Sequence, residues 1–295
     1  MKKPNFFIIG APKCGTTSLA DWLGQHPSVF VSESKEPNFF DTDEATTRQV
    51  ATLSDYEKLF GSASAEHMAV GEGSTAYLHS KTAVANIESY SGKRARYIVC
   101  LRNPVDMARS LHSQLLFTGD ENVRDFKQAW NLQDERRAGR KLPSMSRIKR
   151  NLLYSDSCAL GTQSERLLDK VNRSRVHFIF LDDMARDPRA ELNSALRFLD
   201  VPDDGADIEF GVANRAKRAR SQNLTRVISA GRSLRRTLGL KKGFGVLSAL
   251  IEFNRVEKDN APLDAEFKAA LLEEFCGEVE ILEKITGRDL GHWKK

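Results

Sequence analysis

The stretch N-F-F-I-I-G-A-P-K-C-G-T-T-S-L, residues Asn5 to Leu19, decides the fold predicted for this chain. Its apolar run from Phe6 to Ile9 is too short for a helix and is followed at once by glycine and proline, so it predicts a buried strand. Gly15 permits a tight turn, and the Thr-Thr-Ser run that starts at Thr16 is typical of the beginning of a helix. The stretch therefore predicts a central strand, a tight loop and a helix.

The start of this helix is predicted to bind an anion, because a helix N-terminus presents unpaired N–H groups and the positive end of the helix dipole. Gly10 and Gly15 have the spacing of the nucleotide-binding pattern G-x-x-x-x-G-K-[ST], but Thr16 follows Gly15 and the lysine stands at Lys13. This change disfavours a triphosphate with magnesium, whereas Lys13 can still meet a shorter anion. A purely structural turn is the alternative interpretation.

Length and composition limit the possible classes of protein. The chain has 295 residues, of which 40% are hydrophobic, enough for one large α/β domain with insertions. Its four cysteines lie far apart without a C-x-x-C pair, which favours a reducing, cytoplasmic compartment over a disulfide framework. We expect no signal peptide and no membrane-spanning segment. The six histidines lack metal-ligand spacing, so we expect no metal site.

Positive charge is concentrated in one segment. Residues 211–251 contain ten Lys or Arg residues and no acid, although the net charge of the whole chain is only +5. Such a segment suits an anionic cofactor, an acidic acceptor, a nucleic acid or an anionic membrane surface. Phe244 is its only aromatic residue, so the pattern of a nucleic-acid platform is missing, and we expect no nucleic-acid partner.

Strand-like and helix-like segments alternate along the chain. Further strands are predicted at 29–31, 68–72, 97–101 and 176–181, and helices at 55–60, 105–116, 163–171, 188–199 and 264–285. This alternation, with apolar strands, predicts an α/β fold: a P-loop-type parallel β-sheet flanked by helices on both faces. We interpret residues 1–295 as one domain, with lid or acceptor-binding segments at about 117–160 and 211–260.

The string K-E-P-N-F-F, residues 35–40, contains a candidate base. The proline after Glu36 predicts an extended backbone at the acid, and the two aromatic residues predict that its carboxyl is partly desolvated. Desolvation raises the pKa of a carboxyl and strengthens it as a base towards an acceptor hydroxyl. By residue type alone, a solvated loop acid is the alternative.

The string L-R-N-P-V-D-M-A-R-S-L-H-S, residues 101–113, contains a candidate phosphate site. Arg102 follows a predicted strand and Ser110 lies two turns into the next helix, so both can face the mouth of a parallel sheet, where ligands bind. An arginine fork and a hydroxyl suit a terminal phosphate. The alternatives are an arginine paired with a helix C-terminus and a serine bonded within its own helix.

Together these strings resemble one family. P-K-C-G-T-T-S, residues 12–18, resembles the 5′-phosphosulfate loop of sulfotransferases that use 3′-phosphoadenosine 5′-phosphosulfate (PAPS). K-E-P-N-F-F resembles the string with the general base in the heparan-sulfate type of Golgi sulfotransferase and its bacterial relatives, and the string at 101–113 resembles their 3′-phosphate site. The resemblance implies the sulfotransferase fold and sulfuryl transfer from PAPS to a hydroxyl, favoured over an amine. The product is 3′-phosphoadenosine 5′-phosphate (PAP), and no metal is required.

The resemblance also implies roles for individual residues. Glu36 is expected to be the general base and Lys13 a catalytic contact to the transferring group. The implied nucleotide-binding residues are Lys13, Cys14, Gly15, Thr16, Thr17, Ser18, Arg102, Ser110, Lys217, Arg218 and Arg220. The candidate acceptor-binding residues are Glu36, Ser74, Thr75, Tyr77 and His112. The chain departs from its relatives at Gly73, where they often carry a lysine, which leaves the second basic contact without a residue there.

Two histidines and two other classes of protein stay in consideration. His79 and His112 are the histidines expected near the acceptor, and His112 is the alternative base. A small-molecule kinase shares the strand, loop and helix, but Thr16 stands where its lysine is needed. A non-catalytic anion-binding or nucleic-acid-binding module would use the basic segment and would not need Glu36. For the enzyme, we expect a carbohydrate or another small molecule as acceptor.

Overall fold

The computed structural model describes residues 2–44, 46, 48–144, 146–203, 205–211, 217–219, 255–257 and 262–295. Of the basic residues predicted to bind the nucleotide, Arg220 lies outside the described residues, and Lys217 and Arg218 are described by their backbone. The chain divides into two compact units. The first unit comprises Met1–Met107, Ala159–Asn214 and Leu272–Lys295, and the second comprises Ala108–Cys158 and Arg215–Leu271. The interpretation as one domain stays a prediction.

The first unit is built on a parallel sheet. Its strands are β1 (Phe6–Gly10), β2 (Val29–Val31), β3 (Ala69–Gly73), β4 (Arg96–Leu101) and β5 (Val176–Phe180). Within the described residues the five strands pair in the order β2-β3-β1-β4-β5, all parallel. Every residue of β1 and β3 is buried, and successive side chains point to opposite faces, so both faces of the sheet are covered. The predicted parallel sheet flanked by helices is confirmed.

The helices follow the predicted order with some additions. They are α1 (Thr16–Gly24), α2 (Leu53–Lys58), α3 (Ala83–Ser91), α4 (Pro104–Thr118), α5 (Phe126–Asn131), α6 (Gln133–Arg137), α7 (Tyr154–Cys158), α8 (Leu160–Leu168), α9 (Leu181–Arg186), α10 (Pro188–Phe198) and α11 (Ala265–Thr286). Short 3₁₀ turns lie at Lys149–Leu152, Arg173–Arg175 and Gly291–Lys294. As predicted, Asp187 caps α10, and its side chain accepts a hydrogen bond of 3.0 Å from the Ala190 N–H. Helices α3, α7 and α9 were not predicted, whereas α5 and α6 lie within residues 121–137, which the sequence indicates to be a charged helical stretch.

An aromatic cluster fills the core beside β1 in the first unit. The rings of Phe39 and Tyr56 stack with centroids 4.8 Å apart, and Phe40 meets Tyr56 edge-on at 5.0 Å. Phe40 also packs against Phe7 of β1 at 5.9 Å. Buried aromatic pairs each contribute about 0.5–1.5 kcal/mol beyond the area they bury. The two aromatic residues therefore fix the loop that follows Glu36 to the core.

The second unit has its own buried centre. Arg136 and Glu121 form an ion pair of 2.8 Å whose two side chains are fully buried, and the Tyr154 hydroxyl donates to Glu121 at 2.7 Å. Strands β6 (Lys217–Ala219) and β7 (Arg255–Glu257) form an antiparallel pair in this unit. No strand was predicted there.

None of the helices within the described residues combines the length and the apolar composition that crossing a bilayer requires.

Candidate active site

The predicted site residues of the first unit follow strands that end at one edge of the sheet. Lys13 lies in the loop after β1, Thr75 comes just after β3 and Arg102 directly follows β4. Glu36 lies in the loop after β2. Because the strands are parallel, their carboxyl ends share an edge, the usual ligand-binding edge of such sheets. The topology thus gathers the predicted base and the predicted phosphosulfate loop.

Gly15 shapes the start of α1. Its φ is +87°, which strains any residue with a Cβ, and a Cβ added there would lie 3.0 Å from both Leu181 Cδ1 and Met184 Sδ, so glycine is favoured. Gly15 is also the N-cap of α1 and has no side chain that could bond to the N–H groups of the first turn. The helix start is therefore suited to receive an anion at its backbone donors.

Lys13 and Arg102 meet at the loop. Arg102 Nη1 donates a 3.4 Å hydrogen bond to the Lys13 carbonyl oxygen. Lys13 has a φ of +66°, in the left-handed region that costs a non-glycine residue about 1 kcal/mol or more. Such strain often lies at functional sites, and here it falls on a predicted catalytic residue. The loop and the end of β4 thus bring two cationic side chains into one region.

Cys14 contributes packing to this loop. Its thiol is fully buried, 3.8 Å from Met107 Sδ, and burial raises the pKa of Cys14 to about 12. Its N–H donates to the Ala11 carbonyl at 3.3 Å, within the loop itself. An anion that binds the Cys14 N–H would have to compete with the Ala11 carbonyl for this donor. Binding of an anion by the Cys14 N–H stays a prediction.

Glu36 is half-buried and has an unusual backbone. Its φ is +60°, so the predicted extended geometry is wrong; the Glu36 N–H instead donates to the Gly73 carbonyl at 3.1 Å, which holds the turn. Burial raises the pKa of the Glu36 carboxyl, whereas the Lys35 charge, a hydrogen bond from Thr75 and the Lys13 charge act in the opposite direction. The predicted desolvation is confirmed, and Lys13 and Thr75 both act on the Glu36 carboxyl.

Lys35 is a residue that the sequence-based prediction missed. Its Nζ donates a hydrogen bond to Thr17 Oγ1 in the first turn of α1. Burial lowers the pKa of Lys35, and the neighbouring Glu36 carboxylate opposes this effect. The two partners lie 18 residues apart in the sequence, so no local pattern indicated the contact. It joins the Glu36 loop to the anion-binding helix start.

Glu72, at the end of β3, was also missed as a site residue. Its side chain is fully buried and accepts hydrogen bonds from Ser74 at 2.7 Å, from Tyr77 at 2.8 Å and from Tyr56 at 3.4 Å. Burial raises the pKa of Glu72 to about 7, although the three hydroxyl donors favour the carboxylate. The sequence did contain a pattern that could have indicated Glu72 as a site residue: an acid near the end of an apolar strand, followed closely by residues with hydroxyl groups.

The hydroxyls bound to Glu72 also hold the Glu36 loop. Ser74 Oγ accepts from the Asn38 N–H at 3.1 Å, and the Tyr77 hydroxyl oxygen accepts from the Phe40 N–H at 3.3 Å. Ser74 and Tyr77 are themselves fully buried. The structure thus supports a role in positioning the loop for these two residues, while their direct contact with an acceptor stays a prediction.

Three more predicted residues lie on α4 and in the segment after β3. Ser110 and His112 are on α4 within the second unit, and the His112 ring is buried against Phe126 with centroids 5.3 Å apart. His112 Nε2 is 2.9 Å from the Val123 carbonyl oxygen, and burial lowers the pKa of this imidazole. His79 is half-buried. Contacts of these residues with ligands stay predictions. In the described parts of the chain, no three or more His, Cys, Asp or Glu residues are grouped to hold a metal ion.

Comparison with known proteins gives the family. The family described as "Sulfotransferase domain" matches residues 3–209. Carbohydrate sulfotransferase 15 from Homo sapiens and from Rattus norvegicus are each 57% identical over 37 residues, which span 12% of this chain and only 7% of those proteins. The crystal structure of a sulfotransferase from Alicyclobacillus acidocaldarius has the same fold, with a TM-score of 0.74 and 23% identity over 100% of both chains. Since the family match covers well over half of its residues, this chain belongs to the sulfotransferase family.

Proposed function

We propose that this protein transfers the sulfuryl group of PAPS to an acceptor hydroxyl, with an amine as the less favoured acceptor, and that Glu36 is the general base. One observation carries the proposal: the half-buried Glu36 carboxyl, with a raised pKa, lies within electrostatic reach of Lys13 in the loop before α1. A base needs such a desolvated carboxyl beside the position of the reacting group.

The residues of the first unit fit the donor. The uncapped start of α1 offers backbone N–H groups, and Lys13 and Arg102 supply positive charge around the same loop. We assign Lys13, Thr17 and the N–H groups of the first turn to the 5′-phosphosulfate. Arg102 is assigned to the 3′-phosphate, and the roles expected for Ser110, Lys217, Arg218 and Arg220 in nucleotide binding stay predictions.

The proposed reaction is an in-line displacement at sulfur. The Glu36 carboxylate accepts the proton of the acceptor hydroxyl, and the acceptor oxygen forms its bond to sulfur as the bond from sulfur to the 5′-phosphate oxygen breaks. Lys13 and the first-turn N–H groups of α1 compensate the negative charge that grows on that bridging oxygen. By analogy with oxyanion-hole donors, the loss of one such contact costs about 3 kcal/mol of barrier. The products are a sulfate ester and PAP.

The acceptor is proposed to be a carbohydrate or another small molecule. The short similarity to carbohydrate sulfotransferase 15 favours a carbohydrate, although it covers only 12% of this chain. We further propose a cytoplasmic location. The four cysteines, all of them among the described residues, form no disulfide, which is usual for proteins of a reducing compartment.

A direct assay tests this function. The purified protein is incubated with PAPS and a panel of mono- and oligosaccharides and small alcohols, and PAP and sulfated products are measured by chromatography and mass spectrometry. We expect acceptor-dependent PAP formation matched by a product heavier by one sulfuryl group. A parallel incubation replaces PAPS with ATP and magnesium. Phosphorylated products in that incubation, without turnover of PAPS in the first, would contradict the proposal and favour a kinase.

A further inference from the structure

We infer that Lys35 is a second cationic contact to the sulfuryl group that is transferred; this inference rests on the proposed function. Neither the resemblance to the family nor the sequence pattern assigned a role to Lys35. The structure places its ammonium group on Thr17, in the first turn of α1, and Lys35 directly precedes Glu36, the proposed base. Lys35 therefore connects the proposed base with the proposed donor-binding helix.

The chemistry of the Lys35–Thr17 contact points to an anion. An ammonium group has three N–H donors and no acceptor, so the Thr17 oxygen accepts in this bond. The hydrogen of the Thr17 hydroxyl is then directed away from Lys35 and can be donated to an anionic oxygen. Within the described residues Thr17 is the one hydrogen-bond partner of the Lys35 ammonium, which leaves two N–H groups for the same purpose. Sulfuryl oxygens are suitable acceptors for both donors.

The backbone brings Lys35 next to a position without a side chain. The Glu36 N–H donates to the Gly73 carbonyl, so the segment with Lys35 and Glu36 runs along the end of β3. Gly73 lends no charge to this end of the strand, and a Cβ added there would meet Ile8 Cβ at an ordinary 3.8 Å. Lys35 thus supplies, from the neighbouring loop, the positive charge that β3 does not supply.

Burial distinguishes Lys35 from a solvated surface lysine. Lys35 is half-buried, whereas the Lys58 side chain is 66% exposed and pairs with Asp55 on the surface of α2. A lysine loses solvation and side-chain freedom when it is held in place, a cost that an anion at the site would offset. Within the unit it is the Glu36 carboxylate that contributes most to stabilising the charge of Lys35.

The test compares two ligands that differ by the sulfuryl group. PAP and PAPS are titrated calorimetrically, without acceptor, into the wild-type protein, Lys35→Met, Lys35→Arg and the surface control Lys58→Met. We expect Lys35→Met to bind PAPS about tenfold more weakly, the size of one charge-assisted hydrogen bond, and PAP within twofold of wild type. Lys35→Arg and Lys58→Met should keep the wild-type ratio of the two affinities.

Other outcomes overturn the inference in distinguishable ways. If Lys35→Met changes neither affinity, or lowers both equally, Lys35 does not contact the sulfuryl group. If the wild-type protein binds neither ligand, the proposed function fails together with the inference. Thermal unfolding is measured for each variant, and Lys35→Gln replaces Lys35→Met in the comparison if the methionine variant does not fold.

Discussion

The hydroxyl of Tyr77 donates a hydrogen bond of 2.8 Å to the carboxylate of Glu72, and both residues are completely buried. The same hydroxyl oxygen accepts from the Phe40 N–H, so this pair connects the interior of the first unit to the loop that carries Glu36. A buried carboxyl is costly unless it is well hydrogen-bonded. The hydrogen bonds from Ser74 and Tyr77 offset this cost, and the same two hydroxyl oxygens hold the loop that carries the proposed base.

Glu72 should make stability depend on pH. Burial raises the pKa of Glu72 from 4.5 to about 7 in the folded protein, so the folded state binds a proton that the unfolded state releases between these values. The contribution of this group to the free energy of unfolding is therefore present below pH 4.5 and lost as the pH rises to about 7. We expect Glu72→Gln to lose less stability than the wild type across this window, as measured by urea denaturation at several pH values. Parallel pH dependences of the two proteins would refute the burial argument.

Glu36→Gln separates catalysis from binding. Removal of the general base should lower turnover of PAPS with an acceptor by about 10²–10⁴-fold, because glutamine cannot accept the proton of the hydroxyl. PAP affinity should stay within twofold of wild type in calorimetry. The matched control is Glu33→Gln, an exposed acid in the same loop, which should retain full activity. Full activity of Glu36→Gln would exclude Glu36 as the base and make His112 the next candidate.

The pH profile of turnover should report the environment of Glu36. Burial raises the pKa of Glu36 above its ordinary 4.5, and the deprotonated form is the active one, so the acid limb of kcat should have its midpoint above that value. The Lys35 charge lowers the pKa of Glu36 in the wild type. Lys35→Gln should therefore move the acid limb to higher pH in whatever activity remains. A shift to lower pH, or no shift, would show that the two charges do not interact in the active protein.

Arg102→Ala tests the assignment of the 3′-phosphate. We expect PAP affinity to fall at least tenfold, because a charge-assisted hydrogen bond is lost, whereas AMP, which lacks the 3′-phosphate, should bind equally well to variant and wild type. Arg94→Ala, at an exposed position just before β4, is the control. If AMP and PAP weaken together, the contact of Arg102 with the Lys13 carbonyl would be its main contribution, through the shape of the loop.

Local signals in the sequence predicted much of the fold. The strand β1, the tight loop and α1 follow from a short apolar run, from Gly15 and from the hydroxyl residues after it. The cap of α10 by Asp187 follows from an acid before a proline. These features depend on residues close together in the chain, and for that reason a sequence pattern can show them.

Features that depend on distant contacts could not be predicted in this way. Helix α3 was missed because its sequence contains Asn and Ser, which are weak helix formers. The contact of Lys35 with Thr17 joins two separate elements. Glu72 was passed over because acids are usually exposed, and only the structure shows the three hydroxyls around it.

The choice of nucleotide is the most direct test of the proposed function. The purified protein is titrated calorimetrically with PAP and, side by side, with ATP plus magnesium. The uncapped start of α1, with Lys13 before Gly15 and Thr16 after it, predicts tight binding of PAP and weak or undetectable binding of magnesium-ATP. Binding of magnesium-ATP in preference to PAP would contradict the proposed use of PAPS and make a small-molecule kinase the favoured function.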